Sequence, residues 1–213
     1  MKTALAIFVK TPHLSPLKTR LASGIGKSKA QEFYALSVAA VQNVVSTCEG
    51  IHPVWAVAEK DGVDNALWSA FESKHTGDGC LGTRQSHIYN TLLQTHDHAI
   101  LIGADAPQIS PILIKTAINA LAQYDYVFGP ANDGGYYLMA GKVPIDKDIW
   151  TSIPWSADNT YSSFKDKLSG KIYELPTLTD IDTIDDLQYL KTEMPDATNT
   201  AQNDLLNWIE DIL

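Results

Sequence analysis

Ala99-Ile100-Leu101-Ile102-Gly103-Ala104-Asp105-Ala106-Pro107 is the stretch on which the fold turns. Its first half is a short apolar run of buried-strand type, and it passes without a polar transition into a glycine, an aspartate and a proline. Apolar residues at successive positions need cover on both faces, the condition of a strand in a parallel α/β sheet flanked by helices. Ligand crevices in such sheets open at the carboxyl ends of the strands, so Asp105 is expected at the floor of one. Gly103 admits a ligand or a second backbone closely, and Pro107 stiffens the exit. A carboxylate presented in this way suits a hard cation, and the cation a phosphate. The alternative is that Asp105 caps the next helix. That helix is better started at Ser110-Pro111, an N-cap followed by proline at the first helical position, which leaves Asp105 too early to serve it.

The 213 residues are 45% hydrophobic and 19% charged, the composition of an ordinary globular chain forming one large domain or a domain with an appendage. A formal net charge of −9 repels nucleic acid and anionic membrane surfaces, so neither is an expected partner. Cys48 and Cys80 are far apart and lack His/Cys ligand spacing, which argues against a disulfide scaffold or a structural zinc site. The apolar run from Ala4 to Val9 is too short for a membrane span, and Lys10 and Pro12 close it without a cleavage pattern. A cytoplasmic protein is expected.

Thr3 to Val9 reads as a buried strand, followed by a loop to Leu21 that carries Lys10, Lys18 and Arg20. Arginine clamps phosphate oxygens in a fork and lysine acts as a mobile point charge; a merely solvated loop is the other reading. The glycines of a Walker or dinucleotide loop are missing. From Ser28 to Cys48, Phe33, Leu36, Ala40, Val41, Val44 and Val45 recur at helical spacing. His52 to Ala58 is a strand with Trp55 in the core, and Asn65 to Phe71 a short helix. In His75–Arg84, Gly77, Gly79 and Gly82 lead into a helix running to about Leu93. Such a turn offers backbone N–H groups to an anion or a base edge, and a plain surface turn has the same composition.

Ile112 to Leu121 reads as a helix and Asp125 to Gly129 as a strand. Asp133-Gly134-Gly135-Tyr136 then presents a carboxylate from a turn between strands, or is simply an Asp-Gly hairpin signal. Ile153-Pro154-Trp155-Ser156 is a rigid aromatic loop and Lys171 to Leu175 a late strand. Around Asp182 and Asp185 the acidic residues fit the first turn of a helix. Thr198 to Leu213 reads as a linker and a terminal helix with Leu205, Leu206, Ile209 and Leu213 on one face.

Five stretches in order carry a family resemblance: Phe8-x-Lys10-x-Pro12 with Lys18-Thr19-Arg20-Leu21; Gly77 with Leu81-Gly82-x-Arg84; Gly103-x-Asp105-x-Pro107; Gly129-Pro130-Ala131-x-Asp133-Gly134-Gly135-Tyr136; and Asp180-x-Asp182-Thr183-x-x-Asp186-Leu187. Together they resemble the DUF2064 group of nucleotide-diphospho-sugar transferases, also called selenodomain-associated transferase 1. That group is similar to glycosyltransferases of the GT-A fold, and more distantly to nucleotidyltransferases that make molybdenum cofactor dinucleotides or guanylylate phospholactate. The resemblance implies an α/β, GT-A-like, mixed and mainly parallel sheet flanked by helices, with one nucleotide-binding transferase domain over 1–195 and a linker and helix over 196–213.

The same resemblance implies Asp105 as the ligand of Mg²⁺ or Mn²⁺, and Lys10, Lys18, Arg20, Gly77, Gly82 and Arg84 around the nucleotide and its phosphates. Gly134, Gly135, Tyr136 and Trp155 would face the sugar or acceptor, with Asp133 or Asp182 taking the acceptor's proton. The chain departs from the group's pattern at Ser15, Ala104 and Ala106, and it has one aspartate where a DxD-like element has two. The expected reaction is metal-dependent glycosyl transfer from a nucleotide-diphospho-sugar to a small-molecule acceptor. The alternatives are nucleotidyl transfer from a nucleoside triphosphate with release of pyrophosphate, and a catalytically silent nucleotide-binding protein of the same fold.

Overall fold

In the computed structural model, which describes residues 1–194 and 199–213, the chain order is β1 (Thr3–Val9), α1 (Thr19–Ile25), α2 (Lys27–Ser46), β2 (Ile51–Val57), β3 (Glu72–His75), α3 (Leu81–Leu93), β4 (His98–Gly103), α4 (Pro111–Ala120), β5 (Tyr126–Pro130), β6 (Tyr136–Gly141), α5 (Lys147–Thr151), α6 (Thr160–Lys167), β7 (Ile172–Glu174), α7 (Leu187–Glu193) and α8 (Thr200–Ile212). The seven strands form one sheet in the order β3-β2-β1-β4-β6-β5-β7. β6 runs antiparallel to both its neighbours, and every other pairing is parallel. The fold is the expected mixed, mainly parallel α/β sheet.

Alternation along β1 sorts the core. Leu5, Ile7 and Val9 join Val41, Val44 and Val45 of α2 and Ile114 and Ala117 of α4 on one face. Ala4 and Ala6 face the other way, where their small side chains admit Ile88, Tyr89 and Leu92 of α3 beside Trp150 and Phe164. A third cluster joins Leu21 of α1, Phe33 of α2, Ile181, Leu187 and Leu190 of α7, and Leu205 and Ile209 of α8. The terminal helix is thus packed on the segments that carry Lys18 and Asp182. The linker expected over 196–198 lies outside the described residues.

Three local expectations are corrected. A helix, α1, takes the last three residues of what reads as a loop, Thr19 to Leu21, and runs on to Ile25, because Leu21 is drawn into the third cluster. β3 follows the short turn at Ala66–Trp68; it is a polar edge strand paired on one side only, so the alternation that marks a half-buried strand is missing from its sequence. The aromatic loop at 153–156 is flanked by α5 and α6, whose periodic signal is slight because α6 buries only Thr160 and Phe164. Ser110 does cap α4, accepting a hydrogen bond from the Leu113 N–H at 3.2 Å with Pro111 at its start. No helix among the described residues is long and apolar enough to cross a membrane.

Candidate active site

β1 has β2 on one side and β4 on the other, so the order of connection reverses between them and their carboxyl ends part over a crevice. A cleft of about 680 Å³ lies there, lined by Val9 and Lys10 after β1, Glu59 after β2, Thr76 after β3, Arg84 and Gln85 of α3, Gly103 and Asp105 after β4, and Tyr136 of β6. Two side chains of α2, one turn apart, hold its floor. Tyr34 accepts the Lys10 N–H at 2.8 Å and donates to the Lys10 carbonyl at 2.9 Å. Ser37 donates to the Ala104 carbonyl at 2.7 Å, immediately before Asp105.

Lys18 is the centre of the charged side. Its backbone is left-handed, at φ 40 and ψ 52, an uncommon state for a residue with a β-carbon that persists only where surrounding contacts over-determine it. The contacts are evident: Nζ donates to the Ile181 carbonyl at 2.7 Å, lies 3.3 Å from Asp105 Oδ2 and 3.9 Å from Asp182 Oδ1. The side chain is only 6% exposed, whereas that of Asp105, which lines the cleft, is 49% exposed. Burial alone would depress the Lys18 pKa; Asp105, Asp180 and Asp182 together overcome it and hold the ammonium above its ordinary value. Reciprocally, Lys18 holds the Asp105 carboxyl below the usual carboxylate range against the effect of burial.

Asp180 behaves in the opposite way. Burial, reinforced by the nearby Asp105, Asp182 and Asp133 carboxylates, pushes its pKa up to about 7 despite Lys18. This is a spot with more carboxylate than Lys18 can neutralise, built entirely of hard oxygen donors, and such a donor set fits Mg²⁺ or Mn²⁺. Among the described residues no three His, Cys, Asp or Glu side chains are grouped to hold an ion by themselves. Magnesium characteristically uses one or two carboxylates and completes its shell with phosphate and water, so Asp105 in the cleft lining and the nearby Asp180 are the residues that could hold one.

The predicted residues fall into four groups. Lys10, Lys18, Arg84, Asp105 and Tyr136 share the cleft. Arg84 directs its guanidinium at the Ala58 and Gly79 carbonyls (2.7 and 3.1 Å) and the Thr76 hydroxyl (3.3 Å), so it organises the glycine turn as well as the wall. Arg20 and Asp182 stand beside the cleft and pair at 2.6 Å; the Arg20 side chain is 69% exposed. Asp133 sits in the β5–β6 turn, accepting the Gly135 N–H at 2.8 Å. Gly77, Gly82, Gly134 and Trp155 support the site from outside its lining. A β-carbon on Gly82 would fall 2.3 Å from Trp155 Nε1, and one on Gly134, at φ +87, would fall 1.8 Å from the Asp158 carbonyl oxygen.

Sequence reading passed over Glu59, Gln85 and the role of Asp180. Glu59 accepts the Thr11 N–H at 2.8 Å on one oxygen, and its other oxygen is buried without a partner among the described residues. Gln85 accepts the Tyr136 hydroxyl at 2.5 Å, tying α3 to β6 across the cleft. Asp180 lies in the last of the quoted stretches, two residues before Asp182, but only its burial separates the roles of the two.

The whole is a mixed sheet with a charged crevice at its reversal point. The chain belongs to the DUF2064 family, described as an uncharacterized protein conserved in bacteria, whose model matches residues 42–157. Its fold is similar to that of a protein from Desulfovibrio desulfuricans G20 provisionally described as a nucleotide-diphospho-sugar transferase, with 24% identity, a TM-score of 0.82, and coverage of 98% of this chain and 99% of that one. A cytidylyltransferase from Leptospira borgpetersenii serovar Hardjo-bovis (strain JB197) superposes with a TM-score of 0.59 at 14% identity, covering 100% and 95% of the two chains. CMP:2-keto-3-deoxy-manno-octonic acid synthetase complexed with CTP gives 0.57 at 11% identity, covering 92% and 99%. No curated protein matches the sequence.

Proposed function

We propose that this protein is a metal-dependent transferase that takes a nucleotide-diphospho-sugar as donor and passes its sugar to a small-molecule acceptor. The observation that carries the reading is the Lys18 ammonium held 3.3 Å from Asp105 at the floor of the 680 Å³ cleft. A diphosphate entering there meets Lys10 and Lys18 as point charges, with the base and ribose directed along the wall made by Glu59, Thr76, Arg84 and Gln85. Asp105, with Asp180 beside it, would hold Mg²⁺ or Mn²⁺, which supplies charge stabilisation to the departing diphosphate. Lys18 adds to that stabilisation from a fixed position. The acceptor and sugar lie toward Tyr136 and the β5–β6 turn, where Asp133 is the carboxylate assigned to receive the acceptor's proton. Asp182, engaged by Arg20 and Lys18, orients the lysine instead.

Nucleotidyl transfer from a nucleoside triphosphate is the second reading, favoured by the superposition on a cytidylyltransferase over the whole chain. Thermal shift with UDP-, GDP- and CDP-sugars against the free triphosphates, each with and without Mn²⁺, separates the two. A donor present at 100 times its Kd stabilises by about 2.7 kcal/mol, or about 5–10 °C in a chain of this size. Metal-dependent shifts by diphospho-sugars support glycosyl transfer; a triphosphate preference with pyrophosphate release supports the second reading. Metal-insensitive shifts without turnover leave a nucleotide-binding protein, and no shift at all refutes the proposal.

A further inference from the structure

The two carboxylates assigned to the metal are borne on loops with no ladder bonds between them, and a buried polar network outside the cleft joins those loops. Thr179 directly precedes Asp180, and Gln108 follows Asp105 by three residues; they are 6% and 2% exposed. Gln108 Nε2 donates to the Thr179 carbonyl at 2.6 Å and to Glu193 Oε2 at 3.1 Å. Glu193, the last residue of α7, accepts the Thr179 N–H on both oxygens at 3.0 and 3.1 Å and the Thr179 hydroxyl on Oε1 at 2.6 Å. One carboxylate therefore gathers the backbone before Asp180 and the side chain after Asp105. From α8, Gln202 Nε2 holds the same post-Asp105 loop by the carbonyls of Pro107 and Ile109, at 2.9 and 3.2 Å.

The network is not built for stability alone. Gln108 Oε1 is buried with no partner among the described residues, and turning the amide over would set that oxygen against the Thr179 carbonyl and the Glu193 carboxylate. A chain that tolerates an orphaned acceptor next to a charged, otherwise saturated carboxylate is holding a geometry. Glu193, like Asp180, is not among the residues that line the cleft, and it meets the Asp105 and Asp180 loops only through Gln108 and Thr179.

We propose that Glu193 is a positioning residue: through Thr179 and Gln108 it sets the separation of the Asp105 and Asp180 carboxylates, and with it the metal-assisted share of nucleotide binding. The inference rests on the transferase reading above. Mg²⁺ and its congeners demand near-ideal octahedral placement, so a small relative drift of the two loops weakens ion binding while leaving the Lys10 and Lys18 contacts to phosphate in place.

The test is calorimetric titration of UDP, GDP and CDP into the full chain with and without Mn²⁺, using the tightest of the three for comparison among wild type, Glu193→Gln and Thr179→Val. Glu193→Gln keeps the shape but turns an N–H₂ toward the network's donors. Expected is a loss of at least tenfold in the Mn²⁺ enhancement of affinity, with the metal-free affinity unchanged within threefold. Thr179→Val, which deletes only the hydroxyl bond, should lose about three- to tenfold of the enhancement, and it decides the matter if Glu193→Gln does not fold. Equal losses with and without metal, or full enhancement in the variants, overturn the positioning role while leaving the transferase reading intact. Wild type without any Mn²⁺ enhancement overturns both.

Discussion

On the β1–β4 side of the cleft, Lys18 gathers the loops that carry Asp105 and Asp182 by ion pairs and donates to the Ile181 carbonyl, with Asp180 close by. On the β6 side, Tyr136 meets Phe128 edge-on at 5.3 Å and rests on Phe164 and Trp155, with Trp150 closing the ring cluster at 4.7 Å from Phe164. The first wall owes its shape to charge, and its geometry therefore depends on pH, salt and ligand. The second owes its shape to packing, which is insensitive to all three. Under the proposed reading the charged wall is the one that would meet the diphosphate, and the packed wall the one that would meet the sugar.

The largest way to break that contrast is on the aromatic wall. Trp150 is fully buried, and Trp150→Ala should cost about 3–5 kcal/mol of stability by denaturant titration, reporting a collapse of packing and not of charge. On the charged wall, Lys18→Met should leave unfolding cooperative but weaken diphosphate binding about 10- to 100-fold, the scale of one charge-assisted contact of about 1.5–3 kcal/mol. The Asp105 pKa should rise in that variant, since Lys18 is the chief cause of its depression.

Asp180 sharpens the comparison through pH. Its pKa is about 7 in the folded protein and about 4 when exposed in an unfolded chain, so between these values the folded state holds a proton that the unfolded state does not. Its contribution to stability is present in full below about pH 4 and is lost as the pH rises through about 7. The melting temperature of Asp180→Asn should lack that decline relative to wild type. Asp105 acts in reverse: its stabilising share is present above the ordinary carboxylate pKa and lost on acidification below it. The smallest effect belongs to Arg20→Ala. Its pair with Asp182 is close at 2.6 Å but the arginine side chain is 69% exposed, so screening should limit the loss to about 0–1 kcal/mol.

Much of the charged wall is readable in sequence because its residues sit at the ends of strongly apolar strands. The run from Ala99 to Ile102 leads straight to Asp105, and Ser110-Pro111 removes the capping alternative that would have explained the aspartate away. Lys18 is visible as a cation in the first loop, but its left-handed backbone and its approach to Asp105 depend on contacts from Ile181 and Asp182, more than 160 residues distant. Local pattern carries no trace of such pairings.

The same applies to Asp180 against Asp182. Only Ile181 separates them along the chain, yet one turns inward among like charges and the other outward to Arg20. Glu193 and Gln108 look like ordinary polar residues of a helix end and a loop until folding brings them onto Thr179. Glu59 and Gln85 were hidden for a related reason. They border apolar or helical segments and acquire meaning only when the ends of β2 and α3 converge on one cleft.

The most direct test of the central claim, that Asp105 and Lys18 together hold a metal-bound diphosphate, is calorimetric titration of UDP, GDP and CDP into wild type and Asp105→Asn with Mn²⁺ present. The account predicts saturable binding of at least one nucleotide by wild type and at least a tenfold loss in the variant, with the loss vanishing when the metal is withheld. Undiminished binding by Asp105→Asn, or none by wild type, would contradict it.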